Sequence, residues 1–354
     1  MKRHKQSLNV FISTPLEQVH VDRIALVAPE FVTVTYDATL LPPTRYTADH
    51  KGDDAFARTA AREERWRAGL AAADILWDFP PASVDGSGGV SLAPNVKWVQ
   101  TTSSGVGQLV KTLGLQESGL LITTARGIHA RPLTDFVFLG LLSHTKQRRH
   151  LDLEQRAHRW QRYCGDGLAN KTLGVIGTGG VGRQVMAVGR AFGMRVVALA
   201  RSGSSRTAEE LGADDIFPPS KLHAMLAITD ALVLCVPHTP DTEGLIDRKA
   251  IAALKPGAVF VNVARGRIVD EDALIDALGS GHIAFAALDV FTLEPLPESS
   301  PLWGMPNVLV SPHSASTVAG ENKLIADIFC HNLRCYVDGR LDEMTNVLDK
   351  ARMY

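Results

Sequence analysis

The chain has 354 residues, 45% hydrophobic and 21% charged, which suits two folded domains with real cores. Lys plus Arg number 37 and Asp plus Glu 38, a net charge of −1 that argues against a protein built to neutralise nucleic-acid phosphates. No apolar run reaches the roughly 18–20 residues of a bilayer span, and the basic residues 1–5 lead into an apolar patch, 8–12, too short for an export signal, so the expected location is cytoplasmic and no membrane is expected as a partner.

In chain order, residues 8–14 (LNVFIST) read as a strand and 16–27 as a helix. A strand opening at 32 runs into a loop reaching 54, a helix covers 56–73, and a strand lies near 75–77. Pro, Ser and Gly make 80–89 a loop. Strands at 96–100 and 120–123 follow, then a long connecting helix at 132–147. From 171 the pattern changes to runs that are apolar throughout: 173–176, 195–200, 231–236, 258–263, 284–290 and 308–311. Such runs suit strands covered on both faces, and the crossover-length spacers between them imply a parallel, doubly wound α/β sheet. A helix at 320–337 should pack back on the first domain. The expected division is therefore 1–130 with 317–354 as the substrate domain and 131–316 as an inserted dinucleotide-binding (Rossmann) domain. Cys164, Cys235, Cys330 and Cys335 show no metal-ligand spacing; they read as free thiols, with Cys235 a small buried hydrophobe in ALVLCV, and no metal is expected.

The strongest motif is LGVIGTGGVGRQV, 173–185. Gly177, Gly179 and Gly182 fit G-x-G-x-x-G after a strand and before a helix, the context in which the loop Gly177, Thr178, Gly179, Gly180, Val181 and Gly182 would wrap a pyrophosphate. An acidic residue about 20 residues further on would select NAD. Arg201 stands there instead, opening RSGSSR with Ser202 and Arg206. A guanidinium binds a 2′-phosphate that a carboxylate would repel, so NADPH/NADP is expected, with NADH possible if the segment is only a solvated basic loop.

Three polar residues follow later strands on the same side of the sheet: Arg265 in NVARGRIVDEDAL, Glu294 in LDVFTLEPLP and His313 in SPHSAS. Singly each has a structural explanation. Together they suit reduction of a 2-oxo acid, with His313 as proton donor, Glu294 on the other ring nitrogen, and Arg265 gripping the carboxylate and polarising the carbonyl.

The blocks GTGGVG, PHTPDTEGLI (237–246), NVARGRIVDEDAL (262–274), ALDVFTLEPLP (287–297) and PHSAS (312–316) together resemble the D-isomer-specific 2-hydroxyacid dehydrogenases. The first 130 residues resemble that family less, apart from the loop TTSSGVG (101–107). The resemblance implies a flavodoxin-like α/β substrate domain beside the Rossmann domain, and a homodimer. It implies His313, Glu294 and Arg265 as the catalytic set, and substrate carboxylate binding by Arg265 and the N–H groups of Ser104, Gly105 and Val106. It implies cofactor contacts at Pro237 and at Asp289, the latter to the nicotinamide carboxamide. Arg201 in place of an acid after the second strand resembles the NADPH-using glyoxylate/hydroxypyruvate reductase branch. The expected partner is a small 2-oxo or 2-hydroxy acid. The alternative is a nucleotide-sensing binding protein, like the corepressors that resemble this family, against which the absence of a basic or disordered interaction tail speaks. Segment 40–52 could line the substrate pocket but reads better as an irregular surface loop.

Overall fold

The computed structural model describes residues 7–81, 88–200 and 207–353, and these form two compact units. One comprises 1–128 with 317–354, the other 129–316.

In the first unit the strands are β1 (Leu8–Ile12), β2 (Val32–Thr35), β3 (Ile75–Trp77), β4 (Trp98–Gln100) and β5 (Leu121–Thr123), all parallel, in the order β2-β1-β3-β4-β5. That order is the flavodoxin-like one. The helices are α1 (Gln18–Ala25), α2 (Ala60–Ala72) and α3 (Gly107–Thr112), joined after the second unit by the last helix, Glu321–Asp338. Period-2 alternation sends Val10 and Ile12 to one face and Phe11 to the other. On the first face Trp77 and Trp98 pack on Phe329 of the last helix, the Trp98 ring stacked at 5.0 Å. On the second face Trp66 and Leu70 of α2 cover Phe11, Leu76 and Val99. Helix α2 starts later than residue 56 because Thr59 caps it, accepting a hydrogen bond from the Arg62 N–H. Helix α3 was not anticipated; six residues are too few to show a period.

Segment 40–52 departs from the surface loop expected. Leu40, Leu41 and Ala48 are buried, and the segment folds around the buried Asp49 carboxylate. That group accepts from the N–H groups of Arg45, Lys51 and Gly52 and from the Arg45 guanidinium, all at 2.8–3.1 Å. Burial works to raise the Asp49 pKa, but these hydrogen bonds outweigh it and hold the carboxyl well below the usual range.

The second unit opens with α4 (Ala130–Thr145) and α5 (Arg148–Arg156), then β6 (Thr172–Ile176), α6 (Gly180–Ala191), β7 (Arg195–Leu199), α7 (Ala208–Leu211), β8 (Asp215–Phe217), α8 (Leu222–Leu226), β9 (Ala231–Leu234), α9 (Arg248–Ala253), β10 (Ala258–Asn262), α10 (Glu271–Gly279), β11 (Ile283–Leu288) and β12 (Val308–Val310). The helix after it, Glu321–Asp338, is α11. The sheet is parallel throughout, in the order β12-β11-β10-β9-β6-β7-β8. It holds seven strands where six were expected. The extra one, β8, is a three-residue edge strand, too short to stand out as an apolar run. Helix α4 is more than a connection. Phe136, Val137 and Leu141 enter the core, and a Cβ added at Gly140 would lie 2.6 Å from Ala287 Cβ, so glycine lets α4 sit directly on β11. Helix α5 buries none of its residues, which is why no apolar stripe announced it. Among the described residues no helix is long and apolar enough to cross a membrane.

Candidate active site

The chain winds from β6 outward through β7 and β8, then returns to β9 on the other side of β6 and winds outward again to β12. The carboxyl ends of β6 and β9 therefore flank the topological switch point, where parallel sheets bind nucleotides. Gly177 turns there at φ +113°, and a Cβ on it would lie 2.9 Å from the Cys235 carbonyl. A Cβ on Gly182 would lie 1.8 Å from the Gly177 oxygen, so the start of α6 can approach β6 only as glycine. Gly179 and Gly180 are exposed, and a Cβ on either would meet nothing within 4 Å. No side chain caps α6. An open backbone cradle at an uncapped helix start fits a pyrophosphate. Thr178 and Val181 are half-buried within it, and exposed Pro237 closes the loop after β9 by accepting from Thr242 Oγ1 at 2.7 Å. Cys235 does more than fill space. Its thiol, pushed up to about 12 by burial, donates to the carbonyls of Ile176 and Gly177 at 3.3 and 3.4 Å. Register pairs Ile176 with Leu199, so the chain leaves β7 at the edge that carries the glycine loop. Arg201, Ser202 and Arg206, which follow, lie outside the described residues.

Arg265, Glu294 and His313 follow β10, β11 and β12, whose ends are aligned by the pairs Asn262–Leu288 and Leu288–Val310. His313 Nδ1 meets Glu294 Oε2 at 2.7 Å, while Glu294 Oε1 accepts the Phe291 N–H at 3.0 Å. Partial burial raises the Glu294 pKa, but the hydrogen bonds from His313 and Phe291 and the charges of His313 and Arg265 outweigh it and leave the carboxyl below its ordinary value. Half-buried Arg265 is pulled below its ordinary value by desolvation, against the charges of Glu294 and Asp289. Its backbone is set by Asn262, which accepts from the Ala264 N–H at 3.0 Å and donates to the Arg265 carbonyl at 3.1 Å. Gly266 brings the two loops together, since a Cβ there would lie 1.9 Å from the Phe291 carbonyl carbon.

His313 sits in the left-handed region at φ +53°, a conformation that persists only when its surroundings impose it. Asp289 imposes it. The Asp289 carbonyl accepts the His313 N–H at 2.9 Å, and its Oδ1 accepts from Ser311 Oγ, Ser314 N–H and Ala315 N–H at 2.6–2.9 Å. Sequence reasoning assigned Asp289 to the cofactor and missed this role. It also missed Asn262 and Gly266, although the motif NVARG displayed both.

Ser104, Gly105 and Val106 belong to the other unit, in the loop after β4. Thr102 anchors that loop by donating to Asp78 Oδ2 at 2.7 Å, and Thr101 Oγ1 donates to the Ser103 carbonyl at 2.6 Å. A Cβ on Gly107 would lie 2.2 Å from the Met353 carbonyl oxygen, so the C-terminal segment packs beneath the loop. Among the described residues no group of three His, Cys, Asp or Glu is placed to hold a metal ion.

A glycine cradle at a switch point, with an imidazole–carboxylate pair on neighbouring strands, defines a nucleotide-dependent oxidoreductase site. Residues 138–315 match the family model described as the NAD binding domain of D-isomer specific 2-hydroxyacid dehydrogenase. A glyoxylate reductase of Thermococcus gammatolerans is 33% identical over 232 residues, 63% of this chain and 68% of that protein. The D-3-phosphoglycerate dehydrogenase of Mycobacterium leprae is 35% identical over 242 residues, which span 68% of this chain but 45% of that protein. A crystal structure of the NADPH-dependent glyoxylate/hydroxypyruvate reductase of Sinorhizobium meliloti, in complex with NADP and sulfate, superposes with a TM-score of 0.76 at 26% identity, covering 98% of this chain and all of that one. The chain belongs to the D-isomer specific 2-hydroxyacid dehydrogenase family and is an NAD(P)-dependent enzyme.

Proposed function

We propose that this enzyme is an NADPH-dependent reductase of small 2-oxo acids of the glyoxylate or hydroxypyruvate type, forming D-2-hydroxy acids. The observation that carries the reading is the 2.7 Å bond between His313 Nδ1 and Glu294. A carboxylate on Nδ1 stabilises positive charge on the ring and fixes its orientation, which makes Nε2 the atom that delivers a proton to the substrate's carbonyl oxygen. Arg265 binds the substrate carboxylate and stabilises charge growing on the carbonyl. The N–H groups of Ser104, Gly105 and Val106 take the remaining carboxylate oxygen. Gly177, Thr178, Gly179, Gly180, Val181 and Gly182, with Pro237 and Asp289, hold the cofactor. A bound nicotinamide supplies the hydride.

The side chains of Arg201, Ser202 and Arg206 supply the preference for NADPH, a reading supported by residue chemistry and by the NADP bound in the Sinorhizobium relative. The test is NADPH oxidation against a panel of 2-oxo acids, with NADH in parallel. Arg201→Asp should shift the ratio of kcat/KM toward NADH by about tenfold or more, as a charge-assisted phosphate contact is lost and repulsion replaces it. An unmoved ratio rejects the assignment of Arg201. His313→Asn should cut kcat by about 100- to 10,000-fold, the range for a general acid, with NADPH affinity retained. On the same reading the assembly is a homodimer, and light scattering should return about twice the 38.2 kDa chain mass.

A further inference from the structure

In the first unit, the loop that follows β4 is held from both neighbouring strands. On the β5 side, the Thr101 N–H donates to the Thr123 carbonyl at 2.8 Å, and the Ser103 carbonyl accepts the Ala125 N–H at 3.2 Å. The buried Gln100 amide donates to the Thr101 carbonyl at 3.0 Å, and its oxygen accepts from Thr123 Oγ1 at 2.8 Å. On the β3 side the loop meets Asp78, the residue after β3. Asp78 Oδ2 accepts from Thr102 Oγ1 at 2.7 Å. Its Oδ1 accepts the Phe79 N–H at 2.9 Å and, more weakly, the Thr102 N–H at 3.4 Å. Asp78 turns at φ +63°, uncommon for a residue with a side chain and kept only where the surroundings impose it. They do so here: its N–H donates to the Gln100 carbonyl at 2.7 Å, and its carbonyl accepts from Ser13 Oγ at 2.9 Å. The backbone is thus fixed against β4 and the end of β1, with the carboxyl group on Thr102. Thr102 is itself buried, so losing the carboxyl would strand its hydroxyl. Asp289 shows the same construction, a carboxyl after one strand taking a hydroxyl and backbone N–H groups from the loop after the next.

We propose that Asp78 is a positioning residue for substrate binding: its side chain fixes Thr102 and, through it, the course of the loop 101–106, so that Asp78 governs affinity for the substrate carboxylate and not proton transfer. The consequence for affinity rests on the reading that the N–H groups of Ser104, Gly105 and Val106 hold that carboxylate. Thr102 stands two residues before the first of them, so a shift at its hydroxyl is passed along the chain.

The test compares the full-length wild type with Asp78→Gly, Thr102→Val and Thr102→Ser. Glycine adopts a positive φ without strain, so Asp78→Gly removes the side chain and spares the turn. Thr102→Val removes the hydroxyl at nearly constant shape, and Thr102→Ser keeps it. In the cofactor-free protein, amide exchange at 101–106 should be about tenfold faster in Asp78→Gly and Thr102→Val, near the wild-type rate in Thr102→Ser, and unchanged at 8–12 in all three. With NADPH and glyoxylate, Asp78→Gly and Thr102→Val should raise KM about tenfold, with kcat within about twofold and NADPH affinity unchanged, while Thr102→Ser keeps the wild-type KM. Exchange at 101–106 that stays at the wild-type rate in Asp78→Gly or Thr102→Val, or that rises equally at 8–12, overturns the proposal. Should Asp78→Gly fail to fold, the two Thr102 variants decide by the same criteria. Faster exchange confined to the loop with an unchanged KM keeps Asp78 as the anchor and overturns the loop's role in holding substrate, and with it the effect on affinity. If the wild type does not reduce glyoxylate, that substrate is wrong and the exchange measurement alone decides whether Asp78 anchors the loop.

Discussion

Two buried carboxylates, one in each unit, organise a loop by gathering donors, and they differ in how far those donors travel. Asp49 draws on residues two to four positions away, so segment 40–52 can fold around it locally. Asp289 draws on Ser311, Ser314 and Ala315, 22 to 26 residues on and delivered by the next strand. The conformation of His313 therefore exists only once β11 and β12 are paired. A local carboxylate stabilises its own segment, while a long-range one makes the geometry of the loop bearing His313 depend on the assembled sheet.

Three substitutions test this contrast. The largest effect belongs to Gly266→Ala, where the added carbon would lie 1.9 Å from the backbone of Phe291. The loops bearing Arg265 and Glu294 must separate, and we expect about 3 kcal/mol of lost stability, in denaturant titration, with activity lost as well. Wild-type stability in this variant would mean that the two loops are not pressed together. Next comes Asp289→Ala, which frees the backbone of 311–315. On the proposal that His313 is the general acid, the expected result is a fall in kcat of about 100-fold with a folded, thermally cooperative protein, because misplacing an acid by about 1 Å costs that much. Were Asp289→Ala to lose stability and keep its kcat, the long-range carboxylate would be no different from the local one.

The smallest effect on catalysis is expected from Asp49→Asn, which should lower stability by about 2 kcal/mol and leave NADPH affinity unchanged. The pH dependence has a definite sign. The Asp49 carboxyl titrates well below its unfolded value, held there by its hydrogen bonds against the opposing effect of burial. Its contribution is therefore fully present above an unfolded pKa of about 4 and fades as the pH falls from there toward the lower folded value. The stability difference between wild type and Asp49→Asn should narrow over that range, and a constant difference down to strongly acidic pH would remove Asp49 as the source.

Much of the architecture was legible because its signals are short-ranged. Unbroken apolar runs such as LGVI and ALVL mark strands covered on both faces, and the glycine spacing after β6 marks a turn that only glycine can make. Strand β8 and helix α5 escaped, one for its three residues and the other for its lack of a buried face. At the candidate site, residue type and position after strands were enough to single out Arg265, Glu294 and His313 as candidates, and the structure places Glu294 on His313 Nδ1. The supports could not: Asn262 looks like one more residue of NVARG, and nothing in the sequence shows that Asp289 also clamps the loop that holds His313 at positive φ.

The order of residues alone was enough to specify a doubly wound sheet with a dinucleotide loop, because backbone turns and strand burial depend on neighbours a few positions apart. Only the folded chain decided that His50 would meet Glu321, 271 positions away, or that Asp78 would hold Thr102. No periodicity encodes such meetings. The first follows from α11 packing beside segment 40–52, and the second from the parallel strands β3 and β4 ending at one edge, which brings together side chains that share nothing in sequence except the position at which their strands stop.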